Sequence, residues 1–301
     1  MKKQTVMVNN KELSLSNLEK DLYPSYGFTK ERVLEYYTRI APFMLPHLKN
    51  RALTLKRYPD GADKDFFFEK RCPAYRPPWI ETAEVPYGTA KKLTACVINE
   101  LEALIWVENL ASLELHVPLA KASSPRVPDS VVFDLDPGEN ANVLHCAKVA
   151  LVLKKLFDDL KLASFAKTSG KKGLHVFVPL NSNNTGFDDT KRFSKAVAAT
   201  MQKNYPDLVT ANIAKESRKN KVFINWAQND ASKTMVCVYS LRAGKKPTVS
   251  FPLSWKELAD FEKQHDPEKL VITHSEAIVR AEKQGDLFRE ILEKKQQLPY
   301  L

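Results

Sequence analysis

The sequence predicts an α/β (α+β) fold in which a central mixed or antiparallel sheet is flanked by helices. Three observations predict it: short apolar runs with strand-like alternation recur along the chain, amphipathic segments of helical period separate them, and Gly or Pro punctuates the joints. A composition of 44% hydrophobic and 27% charged residues, with 9 Gly in 301, excludes a disordered or fibrous chain.

In chain order, Thr29 is placed to cap a helix running to about Leu48, because Val33, Leu34, Tyr37 and Ile40 recur at helical spacing and Glu31 and Glu35 lie near its positive end. Strand-like runs follow at Ala52 to Tyr58, Phe66 to Glu69 and Ala95 to Ile98. A helical pattern from Glu100 to Leu110 and a strand at Leu113 to Val117 come next. The Pro-containing segment Val117 to Pro128 is the nearest thing to a break, and no internal repeat is visible. Beyond it, Ser-Val-Val-Phe-Asp-Leu-Asp from Ser130 reads as a buried strand and Val143 to Leu160 as an amphipathic helix. Two strands joined by a turn containing Gly170 and Gly173 complete a β-α-β-β order. A helix from Asp188 to Asn204, strands around 221–225 and 234–240, and helices near 254–263 and 275–294 close the chain. We expect one domain over 1–301, built around one central sheet, with parts 1–128 and 129–301.

Lys and Arg outnumber Asp and Glu by 46 to 36, a formal charge of +10 that fits a polyanion-binding surface. Cys72, Cys96, Cys146 and Cys237 lie far apart without a C-x-x-C, so neither a zinc site nor a disulfide framework is expected and a reducing compartment fits best. No apolar run follows the basic start, and no stretch long enough to span a bilayer occurs, so we expect a soluble, cytoplasmic protein.

Asp134 and Asp136 alternate around Leu135 at the end of an apolar strand, so both carboxylates leave one sheet face with backbones roughly 7 Å apart. Such a pair can share divalent cations with triphosphate oxygens. The turn from Ser169 to His175 combines small residues with Lys172 and His175, a plausible cradle for an anion; it lacks P-loop spacing, which disfavours an ordinary nucleotide hydrolase. Arg218, Asn225, Gln228 and Arg242 lie on or beside two later strands, and Lys56, Arg57 and His116 near the ends of earlier ones.

Taken together, F-D-L-D-P-G at 133–138, S-G-K-K-G-L-H at 169–175 and V-F-I-N-W-A-Q-N at 222–229 resemble the three motifs of the polymerase domain of bacterial ATP-dependent DNA ligase D, within the archaeo-eukaryotic primase superfamily. N-L-E-K at 17–20, T-L-K-R-Y at 54–58, F-F-E-K at 67–70, L-E-L-H-V-P at 113–118 and Y-S-L-R at 239–242 extend the resemblance over most of the chain. It implies a primase-like fold with an RRM-like catalytic core at 129–301 and a part at 1–128 that binds DNA ends. The implied activity is template-dependent nucleotidyl transfer, preferring ribonucleotides, in gap filling and end processing during non-homologous end joining. By the same resemblance Asp134 and Asp136 ligate two Mn²⁺ or Mg²⁺ ions. Lys56, His116, Ser169, Lys172, Arg218, Gln228 and Arg242 surround the incoming NTP or dNTP, with His116 near the sugar. Asn17, Lys20 and Lys30 hold a 5′-phosphate at a DNA gap, and Phe67 and Phe68 stack near the template base. Ku and a DNA ligase are the implied protein partners, and association with the nucleoid follows from the DNA substrate.

One position departs from the pattern. The family has a third metal-binding aspartate where this chain has Asn225, whose amide can ligate but brings no charge, so reduced catalysis is expected. A non-catalytic module for binding and synapsis of DNA ends, and a primase that needs no primer, are the alternatives. No ligase-type K-x-D-G lysine motif is present, which favours a stand-alone or excised polymerase domain.

Overall fold

The computed structural model describes residues 3–88 and 91–299. The chain forms two compact units whose segments interleave: Met1–Pro118, Thr234–Ser250 and Thr273–Asp286 make the first, and Leu119–Lys233, Phe251–Ile272 and Leu287–Leu301 the second. The first change of unit falls within the Pro-containing segment read as a break. The segments 234–250 and 273–286, grouped by sequence with 129–301, belong to the first unit.

The first unit opens with a hairpin of β1 (Lys3–Val8) and β2 (Lys11–Ser16), turned by Asn9 and Asn10 at φ 44° and 64°. Asparagine tolerates that left-handed backbone, which a two-residue hairpin loop requires. Next come β3 (Asp21–Tyr23), β4 (Phe28–Thr29) and α1 (Lys30–Leu48), whose N-terminus the Thr29 hydroxyl caps by accepting from Arg32 N–H. β5 (Ala52–Arg57), β6 (Phe67–Glu69), β7 (Thr82–Tyr87), β8 (Lys91–Val97), α2 (Leu101–Asn109) and β9 (Glu114–Val117) complete its N-terminal segment.

The second unit follows with β10 (Ser130–Pro137), α3 (Val143–Asp159), β11 (Phe165–Thr168), β12 (Leu174–Pro179), α4 (Phe187–Asn204), β13 (Val209–Thr210) and β14 (Val222–Asn225). The chain then re-enters the first unit as β15 (Met235–Val236), β16 (Leu241–Arg242) and β17 (Thr248–Val249). It adds β18 (Pro252–Leu253) and α5 (Trp255–Gln264) to the second, and returns to the first as α6 (His274–Gln284). The helix expected over 275–294 stops at Gln284, because Gly285 adopts φ 73° and ends the helical path.

Each unit has its own large sheet, which corrects the expectation of one central sheet. The first has order β15-β9-β5-β8-β7 with β6 also on β5; the second has order β13-β14-β10-β12-β11-β18. Alternation identifies a strand but not its partner, and the sequence pattern is the same whether strands close one sheet or two. In the second unit, β14-β10-β12-β11 joined by α3 and α4 is the RRM-like arrangement. Val131, Phe133 and Leu135 of β10 pack with Val149, Leu153 and Phe157 of α3 and Phe193 and Val197 of α4 in one core. Period-two alternation therefore sends Asp134 and Asp136 to the opposite sheet face.

The cysteine reading is corrected. Cys72 and Cys96 form a disulfide across 24 residues, with Cα atoms 4.8 Å apart, while Cys146 and Cys237 are free and buried. Cys72 N–H donates to Thr94 O, which lays the 72 segment beside β8; a pairing made by sheet geometry leaves no mark in cysteine spacing. The cysteines thus give no argument for a reducing compartment. Among the described residues, no helix is long and apolar enough to cross a membrane.

Candidate active site

In the second unit, strand register brings four polar residues into one row across the sheet face turned away from the helices. Lys167 pairs with His175, His175 with Asp134, and Asp134 with Asn225. The side chains touch in that order. Lys167 Nζ lies 2.9 Å from His175 Nδ1, His175 Nε2 lies 3.3 Å from Asp134 Oδ1, and Asn225 Nδ2 donates to Asp134 Oδ2 at 3.2 Å. Lys167, His175 and Asp134 are buried, so these contacts act where water screens little.

Asp136 follows on the same face. Burial first, and then the Asp134 charge, raise its pKa to about 7, against a smaller opposing effect of Arg218. Two acids crowded in this way are short of positive charge, and a dication would supply it. The oxygen donors of Asp134, Asp136 and the Asn225 amide suit a hard ion such as Mg²⁺ or Mn²⁺. Among the described residues there is no group of three or more His, Cys, Asp or Glu able to hold a metal, consistent with an amide at position 225. Asp230 is committed elsewhere: Lys191 Nζ at 2.7 Å and Ser232 hold its carboxyl down at about 2.

Two glycines set the approach of the flanking loops. A Cβ on Gly173 would stand 2.2 Å from Leu135 O, between the two aspartates, so only glycine lets the 169–173 turn lie against the acid-bearing strand. A Cβ on Gly138 would stand 1.8 Å from Arg218 O, tying the end of β10 to the loop that carries Arg218. Within the turn, Ser169 Oγ accepts from Lys171 N–H at 3.2 Å and Gly173 N–H at 3.1 Å, and Lys172 is exposed. Arg218 stacks 3.8 Å over the Phe223 ring. Gln228 lies half-buried in a 3₁₀ turn that directly follows Asn225.

The other expected nucleotide-binding residues lie in the first unit and converge there. Lys56, His116 and Arg242 all meet Glu114, which is fully buried, and Lys56 Nζ sits 3.8 Å from the Phe66 ring centroid. Burial lowers the His116 pKa, in part countered by Glu114. The expected stacking pair separates. Phe68 pairs with Lys56 and has its ring 6.0 Å from His116, whereas Phe67 pairs with Arg57, whose guanidinium lies 5.1 Å from its ring. Adjacent strand residues face opposite ways, so the partner of Phe68 on that face is Phe66, with rings 5.7 Å apart. All three phenylalanines are exposed, which excludes core packing for Phe67 and Phe68. Phe67 and Phe68 also border a groove of about 710 Å³ with Lys70, Arg71, Tyr75 and Tyr87.

Asn17, Lys20 and Lys30 come together at the start of α1. Lys20 N–H donates to Asn17 O, Lys30 N–H to Lys20 O, and Lys30 Nζ reaches Ser16 O at 2.6 Å. Lys20 Nζ meets Asp60 at 3.1 Å. Burial first, then Arg57 and Lys20, lower the Lys30 pKa to about 8. Sequence reasoning missed Lys167, Phe66 and Glu114. All three share a strand face with an expected residue, two positions away or directly across, and alternation was the signal for them.

An RRM-like sheet with paired acids at the end of its central strand, faced by a glycine-lysine turn, defines an archaeo-eukaryotic primase-type fold. Within that class, the chain belongs to the LigD primase-polymerase domain family, whose sequence model matches residues 29–288. It is 38% identical over 283 residues to the multifunctional non-homologous end joining protein LigD of Mycolicibacterium smegmatis, covering 93% of this chain and 36% of that protein. It is 31% identical over 288 residues to the bifunctional non-homologous end joining protein LigD of Bacillus subtilis, covering 96% of this chain and 45% of that protein. The chain thus spans less than half the length of these relatives. Among solved structures, it resembles the polymerase domain of Mycobacterium tuberculosis ligase D in complex with DNA, with a TM-score of 0.86 and 34% identity. That match covers 94% of this chain and 99% of the other.

Proposed function

We propose that this chain is a metal-dependent, template-directed nucleotidyltransferase that fills gaps and extends ends in double-strand-break repair by non-homologous end joining. The observation that carries the reading is the pair Asp134 and Asp136 on one sheet face, with the Ser169–Gly173 turn seated against the strand between them. Divalent Mn²⁺ or Mg²⁺, two ions in the full complement, would stabilise the attacking and leaving oxygens of an in-line phosphoryl displacement. Asp134, Asp136 and Asn225 are the side chains that would hold them. His175, backed by Lys167, fixes the Asp134 carboxylate in orientation, as residues behind a metal ligand do. Ser169, Lys172, Arg218, Gln228, Lys56, His116 and Arg242 are the proposed NTP or dNTP contacts. His116 would read the 2′-hydroxyl and give a preference for ribonucleotides.

Asn17, Lys20 and Lys30 are proposed to receive the 5′-phosphate of gapped or broken DNA, and Phe68 to stack on a base. Ku, a DNA ligase and a cytoplasmic, nucleoid-associated location belong to the same proposal. Asn225 favours a second reading, a DNA-end binding and synapsis module with little catalysis, because an amide there brings no charge to balance a second cation.

Primer extension on 5′-phosphorylated gapped DNA with Mn²⁺ separates the two. Extension abolished by Asp134→Ala supports the enzyme. Binding that depends on the 5′-phosphate without extension, even in Asn225→Asp, supports the module and refutes the enzyme.

A further inference from the structure

Glu114 is the fully buried acid on which the three expected nucleotide contacts of the first unit converge. Cross-strand register sets it directly opposite Lys56, and alternation sets it on the same face of β9 as His116. Its Oε1 accepts from Tyr58 OH at 3.0 Å and Ala243 N–H at 3.2 Å and lies 3.6 Å from Lys56 Nζ. Its Oε2 lies 3.1 Å from His116 Nε2 and 3.4 Å from Arg242 Nε. The carboxylate side chain has no exposure, whereas those of Lys56, His116 and Arg242 keep 10%, 14% and 13%. The acid is therefore more deeply buried than the three groups that meet it.

We propose that Glu114 is a positioning residue that holds Lys56, His116 and Arg242 as one face for an incoming nucleoside triphosphate and fixes the His116 tautomer that discriminates ribose from deoxyribose. This rests on the assignment of those three residues to the nucleotide. Two cations around one buried acid favour its ionised form, which has no proton to give. His116 must then donate from Nε2, and with burial keeping the ring neutral at pH 7, Nδ1 is left as an acceptor. A 2′-hydroxyl can donate to such an acceptor, and a deoxyribose leaves it unmet. The cluster's formal sum, two cations and one anion with neutral His116, is a single positive charge locked in place before the triphosphate arrives.

Glutamine at 114 keeps the oxygen that serves Tyr58 and Ala243, but turns an amide donor toward His116 and Arg242. The amide forces His116 Nε2 to accept, which moves its proton to Nδ1 and inverts what the ring offers a sugar. Arg242 faces a donor in place of an acceptor.

The test compares ATP and dATP binding, in the presence of Mn²⁺, to the full chain and to Glu114→Gln. Wild type should bind ATP more tightly. Glu114→Gln should weaken ATP roughly tenfold or more and change the ATP to dATP ratio. Affinity for 5′-phosphorylated DNA, read through Asn17, Lys20 and Lys30, should stay within about twofold, as a loss confined to the Glu114 cluster requires. An unchanged ratio, parallel loss of 5′-phosphate binding, or no nucleotide binding by wild type overturns the proposal. Nitrogen NMR of His116 in the wild type gives a readout without a variant: the Nε2–H tautomer supports the assignment and the Nδ1–H tautomer overturns it. A wild type that binds ATP selectively yet extends no primer refutes the polymerase reading alone.

Discussion

Asn225→Asp restores the third carboxylate, and the structure gives the size of its effects. Without metal, the change removes the 3.2 Å donation from Asn225 to Asp134, a hydrogen bond to a charged group worth about 1.5–3 kcal/mol. It also sets two like charges at a similar distance, a repulsion of about 5 kcal/mol at an effective dielectric of 20, which proton uptake by one of the acids would largely relieve. A net loss of about 2 kcal/mol should lower the metal-free melting temperature by roughly 3 °C for a protein of this size. With metal the sign reverses. If the added charge tightens Mn²⁺ about a hundredfold, the linked stabilisation grows by about 2.7 kcal/mol and cancels the deficit. Melting curves with and without saturating Mn²⁺, run beside gap-filling rates, check both halves. The variant should melt lower without metal, gain more from Mn²⁺ than wild type, and extend primers at least tenfold faster. Equal Mn²⁺ shifts and unchanged extension would refute the idea that position 225 limits metal binding.

Further expectations concern the first unit. Phe68→Ala should weaken nucleotide or template-base binding by about 1–3 kcal/mol, whereas Phe67→Ala, on the opposite strand face, should leave the nucleotide KM within about twofold; steady-state kinetics on gapped DNA decide. Lys30 is charged below its pKa of about 8 and neutral above it. The affinity advantage of 5′-phosphate over 5′-hydroxyl ends should therefore persist at about pH 7 and shrink by about pH 9, and an advantage that grows with pH refutes the role. Glu108 is fully buried, neither carboxyl oxygen has a hydrogen-bond partner, and burial raises its pKa. The folded state keeps this proton after the unfolded chain releases it, so the group's contribution falls as pH rises above the ordinary carboxylate range. Glu108→Leu should raise stability at neutral pH and flatten that slope in urea titrations followed across pH.

The second unit was legible because its signals are local. Ser130–Pro137 carries an apolar face and an acidic one in a single run, so the strand, its orientation and the shared face of Asp134 and Asp136 follow from alternation alone. Asn225 was singled out by motif, and only register shows that it lies directly across from Asp134. Lys167 was hidden because a lysine on a strand looks like a solvated charge until its neighbours are known; here it is 1% exposed and bonded to His175. The first unit was less legible. β1, β2 and β7 are short or half-polar strands, and the Cys72–Cys96 bond depends on which strands lie side by side.

Glu114 marks the limit of reading single positions. An acid between two leucines, in Leu113-Glu114-Leu115, reads as the polar side of a half-exposed strand, and in most sheets it would face water. Its burial follows from its surroundings: Lys56 is its cross-strand partner, Tyr58 and Ala243 offer donors, and His116 lies two residues along the same face. Each of those groups taken alone looks like an edge charge or a core aromatic. A buried acid is tolerated only when its lone pairs are met, so the convergence of donors on Glu114 is the condition for its burial as well as the source of the cationic face. Removing its charge while keeping its shape therefore tests function more sharply than deleting any one of the cations it holds.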